Sequence, residues 1–201
     1  MTTLLAAPIV ARMSTIPISA LYISEDDYLE GEKLSVVKHE YLGGVVHAMA
    51  GASEPHNRIA TSVITALGVR LRGKRCEAFG SDMKLRVNLR SDAHYYYPDA
   101  MVACDPKDAG HPWRERPTVI FEILSEDTRH IDEREKRMAY HQIDQLRSYV
   151  RIEQSKPEII IERRTIGGWE AEVISGMDGI LHLPEIGVEI PLAELYERLS
   201  F

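Results

Sequence analysis

The stretch from Thr118 to Arg129 reads "TVIFEILSEDTR", and its residues Val119 to Leu124 would make an ordinary buried strand were Glu122 not among them. An acid buried in such a run carries a heavy desolvation cost. Either its pKa rises until it protonates, or the fold must bring a cation to it. The partner of Glu122 is therefore the first thing the rest of the chain has to supply.

At 201 residues, with 44% apolar and 27% charged residues, the chain is long enough to bury a core of its own and reads as one globular domain. No apolar run is long enough to span a bilayer, and the N-terminal "MTTLLAAPIVARM" lacks the charge and length of a signal peptide. The expectation is a cytoplasmic protein without membrane contact, with an N-terminal extension over residues 1–17 and one domain over 18–201. Cys76 and Cys104 have neither CxxC spacing nor the number of a disulfide framework or zinc site, so both are expected as buried small hydrophobes. A net charge of −7 argues against coating nucleic acid through a general positive field. It leaves room for an enzyme that meets nucleic acid through a local basic patch and a metal-filled acidic site.

Ser24 ahead of "EDDYLEGE" is a helix N-cap with acids in the first turn, giving a short helix to about Glu30. "KHEYLGGVVHAMAG" reads as a hairpin turning at Gly43 and Gly44. Ile59, Val63, Ile64, Leu67 and Leu71 recur at helical spacing, which predicts a long helix from Pro55 to Arg72, ended by Gly73. "CEAFGSDMKLRVN" and "HYYYPDAMVAC" suit strands on either side of a turn at "LRSDA", and "DPKDAGHPWRERP" is a polar loop. A second long helix is expected from about Asp127, with Ile131, Met138 and His141 or Gln142 on its apolar side. Strands follow at "RSYVRIE", "PEIIIERR", "WEAEVIS" and "GVEIPL", then a short helix at "LAELYERL". The fold class is α+β or mixed α/β, helices packing on a sheet.

Asp99 follows Pro98 at the start of the apolar strand "AMVAC". If that strand neighbours the one carrying Glu122, the two carboxylates converge. Converging carboxylates are reconciled by a shared proton or a divalent metal.

"YPDAMVACD" followed by "PTVIFEILSEDTRHIDEREKRMAYHQ", with "KHEYLGGVVHAMAGASEPHNRIATSVITAL" and "GSDMKLRV" before them, resembles the Uma-two family of endonucleases, a branch of the PD-(D/E)XK restriction-endonuclease-like superfamily. The resemblance covers roughly Ser19 to Glu194. It implies a restriction-endonuclease-like core with a central mixed sheet flanked by helices, an N-terminal hairpin and a C-terminal meander. It also implies a DNA endonuclease that uses Mg²⁺ or Mn²⁺. Asp99 and Glu122 would hold the metal, with the Ile123 carbonyl as a further ligand and Asp82 in support. Glu40 would reach the same site from the opposite side. Hard oxygen donors suit Mg²⁺, which activates water and offsets charge at the phosphorus. A homodimer is expected, since cutting two strands is served by two sites.

The chain departs from the superfamily motif at Leu124, where a lysine two places after the glutamate would orient the nucleophilic water. Lys136 is the relocated candidate, since Asp132, Lys136 and Tyr140 fall on one helix face. A plainer role stands beside each of these. Glu122 could pair with Arg129 or Arg137, Lys136 with Asp132, and Glu40 could be an exposed strand acid. His56 and Asn57 could be helix-start polar groups, and Ser125 and Thr128 helix caps. Tyr95, Tyr96 and Tyr97 could pack into core and rim rather than stack on bases. A second function is compatible with Leu124 and the acidic charge: a nuclease fold that no longer cleaves and serves as a binding or assembly module.

Overall fold

Gly43 and Gly44 both adopt positive φ, 56° and 106°, as a two-residue hairpin turn requires, and join β1 (His39–Leu42) to β2 (Val45–Ala48). The computed structural model describes residues 22–125 and 132–201, so the expected extension over 1–17 lies outside the described residues. Ser24 caps α1 (Glu25–Leu34) by accepting from the Asp27 N–H at 3.2 Å, and the helix runs a turn past the expected Glu30. Ser53 caps α2 (Glu54–Leu71) by accepting from the His56 N–H at 3.3 Å. The apolar face of α2 buries Ile59, Val63, Ala66, Leu67 and Leu71, close to the periodic set read from the sequence.

Two segments expected as single strands each divide between two sheets. The first gives β3 (Glu77–Gly80) and β4 (Lys84–Leu89), the second β5 (Asp92–Tyr96) and β6 (Ala100–Ala103). The second break falls at Tyr97, Pro98 and Asp99, where proline has no N–H to continue a ladder. β7 (Trp113–Arg114) and β8 (Pro117–Leu124) follow, then β9 (Ser148–Glu153), β10 (Glu158–Thr165) and β11 (Gly168–Ser175). The hairpin of β12 (Ile180–Leu183) and β13 (Val188–Pro191) leads into a last turn of helix, here α4 (Leu192–Leu195).

The strands form one sheet in the order β2-β1-β5-β4-β7 and another in the order β11-β10-β9-β8-β6-β3. Both are mixed, with β4–β7 and β8–β9 parallel. α2 and the β12–β13 hairpin cover one face of the larger sheet, burying Val102, Phe121, Val150 and Ile161. Its other face meets the smaller sheet through Met101, Ile120 and Tyr149 against Leu85, Val87 and Tyr96. α1 closes the far side of the smaller sheet, where Tyr28, Tyr41 and Tyr95 pack together. The result is a mixed α+β architecture with central sheets flanked by helices, and among the described residues no helix is long and apolar enough to cross a membrane.

Two expectations are corrected here. The segment after β8 is a π-helical turn (Asp132–Lys136) running into α3 (Arg137–His141), and the expected helix start at Asp127 with Thr128 lies outside the described residues. Met138, expected on the apolar side, is 69% exposed, whereas Lys136, Ala139 and Tyr140 are buried. The buried face packs Ala139 and the Tyr140 ring into the apolar layer between the sheets and adds the Lys136 ion pairs. Cys76 and Cys104 are bonded as a disulfide with Cα atoms 4.1 Å apart. β3 and β6 are antiparallel with Glu77 opposite Ala103, so the next pair outward is Cys76 opposite Cys104. That adjacency comes from strand pairing, which cysteine spacing along the chain does not encode.

Candidate active site

The site forms where the two sheets meet at the end of β8. β6 and β8 are antiparallel with Ala100 opposite Phe121, and continuing that register sets Asp99 opposite Glu122 on the same face. Pro98 then falls opposite Ile123 and has no N–H to offer that residue's carbonyl. The Asp99 carboxylate accepts the Ile123 N–H at 2.7 Å, replacing the ladder bond that β6 no longer makes. The Pro-Asp step thus ends the ladder and brings the Asp99 carboxylate to the backbone of β8 at Ile123.

Glu122 is 5% exposed, and the cation its burial demands is Lys136, with Nζ 3.5 Å from Glu122 Oε1. The same ammonium lies 3.0 Å from Oε1 of Glu40, which comes from β1 in the other sheet. Lys136 therefore joins one acid from each sheet and is itself 7% exposed. The Tyr140 hydroxyl donates to Glu122 Oε1 at 2.7 Å. Burial, reinforced by the charges of Glu122 and Glu40, raises the Tyr140 pKa well above the ordinary tyrosine range and keeps it a donor. The Tyr97 N–H points at Glu40 Oε1 from 3.5 Å.

His56 comes to the site from the first turn of α2. The helix cap is Ser53, which accepts the His56 N–H, rather than His56 or Asn57 themselves, and the His56 ring Nε2 stands 3.2 Å from Asp99 Oδ2. Its Nδ1 is buried with no hydrogen-bond partner among the described residues. Lys38 and Lys84 flank the Tyr97 ring at 5.5 and 5.3 Å, beside the Pro98–Asp99 step. Burial pulls the Lys84 pKa down, against an opposing pull from Glu32.

Glu122, Lys136 and Glu40 are thus joined by direct contacts, while Asp99 meets the backbone of Ile123, the residue after Glu122. Asp82 is not brought in by any contact among the described residues: its side chain is 96% exposed and pairs with Lys38 at 2.9 Å. Leu124, in the motif's lysine position, is 1% exposed. Arg137, a possible partner for Glu122, instead reaches Glu162, while Arg129 lies outside the described residues. Tyr95, Tyr96 and Tyr97 are all buried, which suits packing rather than base stacking. The link of Tyr140 to Glu122 was not assigned from the sequence; the four-residue step from Lys136 to Tyr140 was its available signal.

Among the described residues no three His, Cys, Asp or Glu side chains converge as a ready-made metal cage. The donors present are two carboxylates and one strand carbonyl, all hard oxygens. That set fits Mg²⁺, which commonly takes one or two carboxylates and completes its shell with water and substrate phosphate oxygens.

Residues 26–193 match the model of a family designated Uma2 and described as "Putative restriction endonuclease". The chain belongs to the Uma2 family. The protein named "Uncharacterized protein slr1290" of Synechocystis sp. is 29% identical over 181 residues, which cover 89% of this chain and 94% of the relative. A second Synechocystis sp. protein, "Uncharacterized protein sll1609", is 33% identical over 131 residues, covering 64% of this chain and 73% of the relative. The fold is similar to that of a solved protein from Anabaena variabilis titled as a putative nuclease belonging to DUF820. Their TM-score is 0.69 at 17% identity, with 87% of this chain and 98% of that chain covered. Membership in Uma2 supports a nuclease-like function for the chain.

Proposed function

We propose that this Uma2 chain is a Mg²⁺- or Mn²⁺-dependent endonuclease that hydrolyses phosphodiester bonds in DNA. The observation that carries the reading is Lys136, whose ammonium stands 3.5 Å from Glu122 although the chain has leucine at the motif's lysine position. Asp99 and Glu122 hold the metal with the Ile123 carbonyl, and Asp82 is left out because its carboxylate faces Lys38 in solvent. When bound, the ion lowers the pKa of a coordinated water and offsets charge growing on the phosphoryl oxygens. Lys136 orients the attacking water and offers its positive charge to the same oxygens. Glu40 holds Lys136 from the opposite sheet, and the Asp99 carboxylate is fixed by the Ile123 N–H and by His56. Lys38 and Lys84 offer positive charge to the DNA backbone beside this site.

The protein acts in the cytoplasm as a homodimer in this reading, one site for each strand, and light scattering on the purified chain tests the dimer. Supercoiled plasmid incubated with protein and Mg²⁺ or Mn²⁺ tests the chemistry. Nicking should appear with wild type and vanish in Asp99→Ala and Glu122→Ala, and equal nicking by all three would sink the proposal. Leu124 favours one other reading, a nuclease fold that binds without cutting. In that case the plasmid stays intact and calorimetry shows no Mn²⁺ binding that Glu122→Gln abolishes.

A further inference from the structure

We propose that Glu162 is a positioning residue that fixes where the Lys136 ammonium stands relative to Glu122; its bearing on catalysis rests on the endonuclease reading above. A lysine placed two residues after a strand glutamate inherits its position from the β-ladder. Lys136 has no such frame, because it sits at the junction of a π-helical turn and the five-residue α3. A helix that short does not hold itself together in water, so tertiary contacts must set its place.

Two sets of contacts do so. Ala139 and Tyr140 insert between the sheets, both 0% exposed. The other set gathers on Glu162 of β10, which is 1% exposed and lies opposite Tyr149 of β9. Arg137 donates through Nε to Glu162 Oε2 at 2.9 Å, and His141 Nε2 stands 2.8 Å from the same oxygen. Arg137 and His141 are four residues apart, hence on one helix face, so a single carboxylate bonds Arg137 at one end of α3 and lies against His141 at the other. Arg151 supplies the third contact, donating to Glu162 Oε1. Arg151 belongs to β9 and lies opposite Glu122 in the parallel β8–β9 register. Glu162 thereby ties the lysine-bearing segment to the strand beside the glutamate that the lysine must meet. Lys136 and Arg137 are neighbours in sequence, about 100° apart around a helix axis, so holding Arg137 on Glu162 turns Lys136 toward Glu122 and Glu40.

The other end of the segment is secured as well. Trp169 stacks on the His141 ring with centroids 4.1 Å apart. Arg164 donates to the carbonyls of His141, Ile143 and Leu146 at 3.0, 2.8 and 2.9 Å. These contacts hold the exit of α3, and Glu162 sets its rotation together with the buried Ala139 and Tyr140.

The test compares wild type, Glu162→Gln, Lys136→Ala and the double variant for kcat and KM on DNA with Mg²⁺, and for Mn²⁺ affinity by calorimetry. Glu162→Gln is expected to lower kcat about tenfold or more while KM and Mn²⁺ affinity stay within about twofold. In the Lys136→Ala background the same change should alter kcat by less than about twofold, because the position it sets no longer carries an ammonium. Glu162→Asp should recover part of the loss. Arg137→Met, at a side chain 47% exposed, should act in the same direction with less effect and serves if Glu162→Gln does not fold. A readout independent of turnover is the ¹³Cε resonance of Lys136, identified by its disappearance in Lys136→Arg. It should move in Glu162→Gln and return toward its place in Glu162→Asp. Equal loss of kcat in both backgrounds, or an unmoved resonance, would overturn the inference. An inactive wild type whose resonance moves as expected would instead remove the endonuclease reading and leave the positioning of Lys136 by Glu162 intact.

Discussion

The hydroxyl of Tyr140 donates to Glu122 Oε1 at 2.7 Å where both side chains are buried. A buried carboxylate oxygen that also faces an ammonium is held to one orientation by such a bond. Hydrogen bonds to charged groups contribute about 1.5–3 kcal/mol, and removing one donor leaves a buried acceptor less satisfied. Tyr140→Phe should therefore lower unfolding stability by about that amount in urea titrations. It should also reduce cleavage about tenfold by loosening Glu122. Unchanged values in both measurements would refute this role.

Lys136 separates two acids that come from different sheets, and its ion pairs are mostly buried. Removing one partner of a buried pair leaves uncompensated charge, at a cost of about 3–5 kcal/mol. Lys136→Met should cost about this much stability at neutral pH and lower cleavage to a small residual rate. The double variant Lys136→Met with Glu40→Gln should recover part of the stability and none of the activity. Thermal melts and plasmid nicking on the same preparations separate the two effects.

The tyrosines give the fold an alkaline limit. Burial raises the pKa of Tyr28, Tyr95, Tyr96, Tyr97, Tyr140 and Tyr196 above the ordinary value of 10.0, and pushes Tyr41 up to about 12. The unfolded chain loses these protons near pH 10 while the folded chain keeps them. Above that pH the unfolded state binds fewer protons, and stability falls as pH rises. Stability should hold below pH 10 and decline above it, with phenolate absorbance appearing together with unfolding. Phenolate absorbance at full value in a chain that is still folded would contradict the burial.

The Cys76–Cys104 bond closes a loop with a sequence separation of 28. Loop-closure entropy for that length corresponds to about 3–4 kcal/mol. Cys104→Ser, or reduction with dithiothreitol, should lower the urea midpoint accordingly and raise the slope, because the freed unfolded chain exposes more surface. Denatured, unreduced protein should show no free thiol, and two free thiols per chain would count against the bond. The cytosol keeps most thiols reduced, so the same titration on protein isolated under thiol-blocking conditions also bears on where the protein works.

Local signals made much of this structure readable from the chain. Ser24 and the glycine pair at 43 and 44 announced their helix start and hairpin because capping and positive φ are properties of single residues. The long helix was readable because five apolar residues repeat at its period. The segment around Met138 differs from its periodic reading because its buried face mixes Ala139 and the Tyr140 ring with a charged group: Lys136 and the Tyr140 hydroxyl meet acids contributed by β1 and β8. Apolar periodicity cannot register the charged part of such a face.

The sequence by itself determined that Glu122 needed a partner, because an acid inside "VIFEIL" cannot be buried alone, and that Asp99 opens an apolar strand just after Pro98. It also carried the pattern that placed the chain in Uma2. Only the tertiary structure decided which cation answers Glu122, that Glu40 reaches Lys136 from a second sheet, and that Cys76 meets Cys104. The division has a physical cause. Desolvation cost and backbone chemistry belong to individual residues, whereas ion pairs and cross-strand neighbours depend on sheet order and register, which are settled when distant segments pack together.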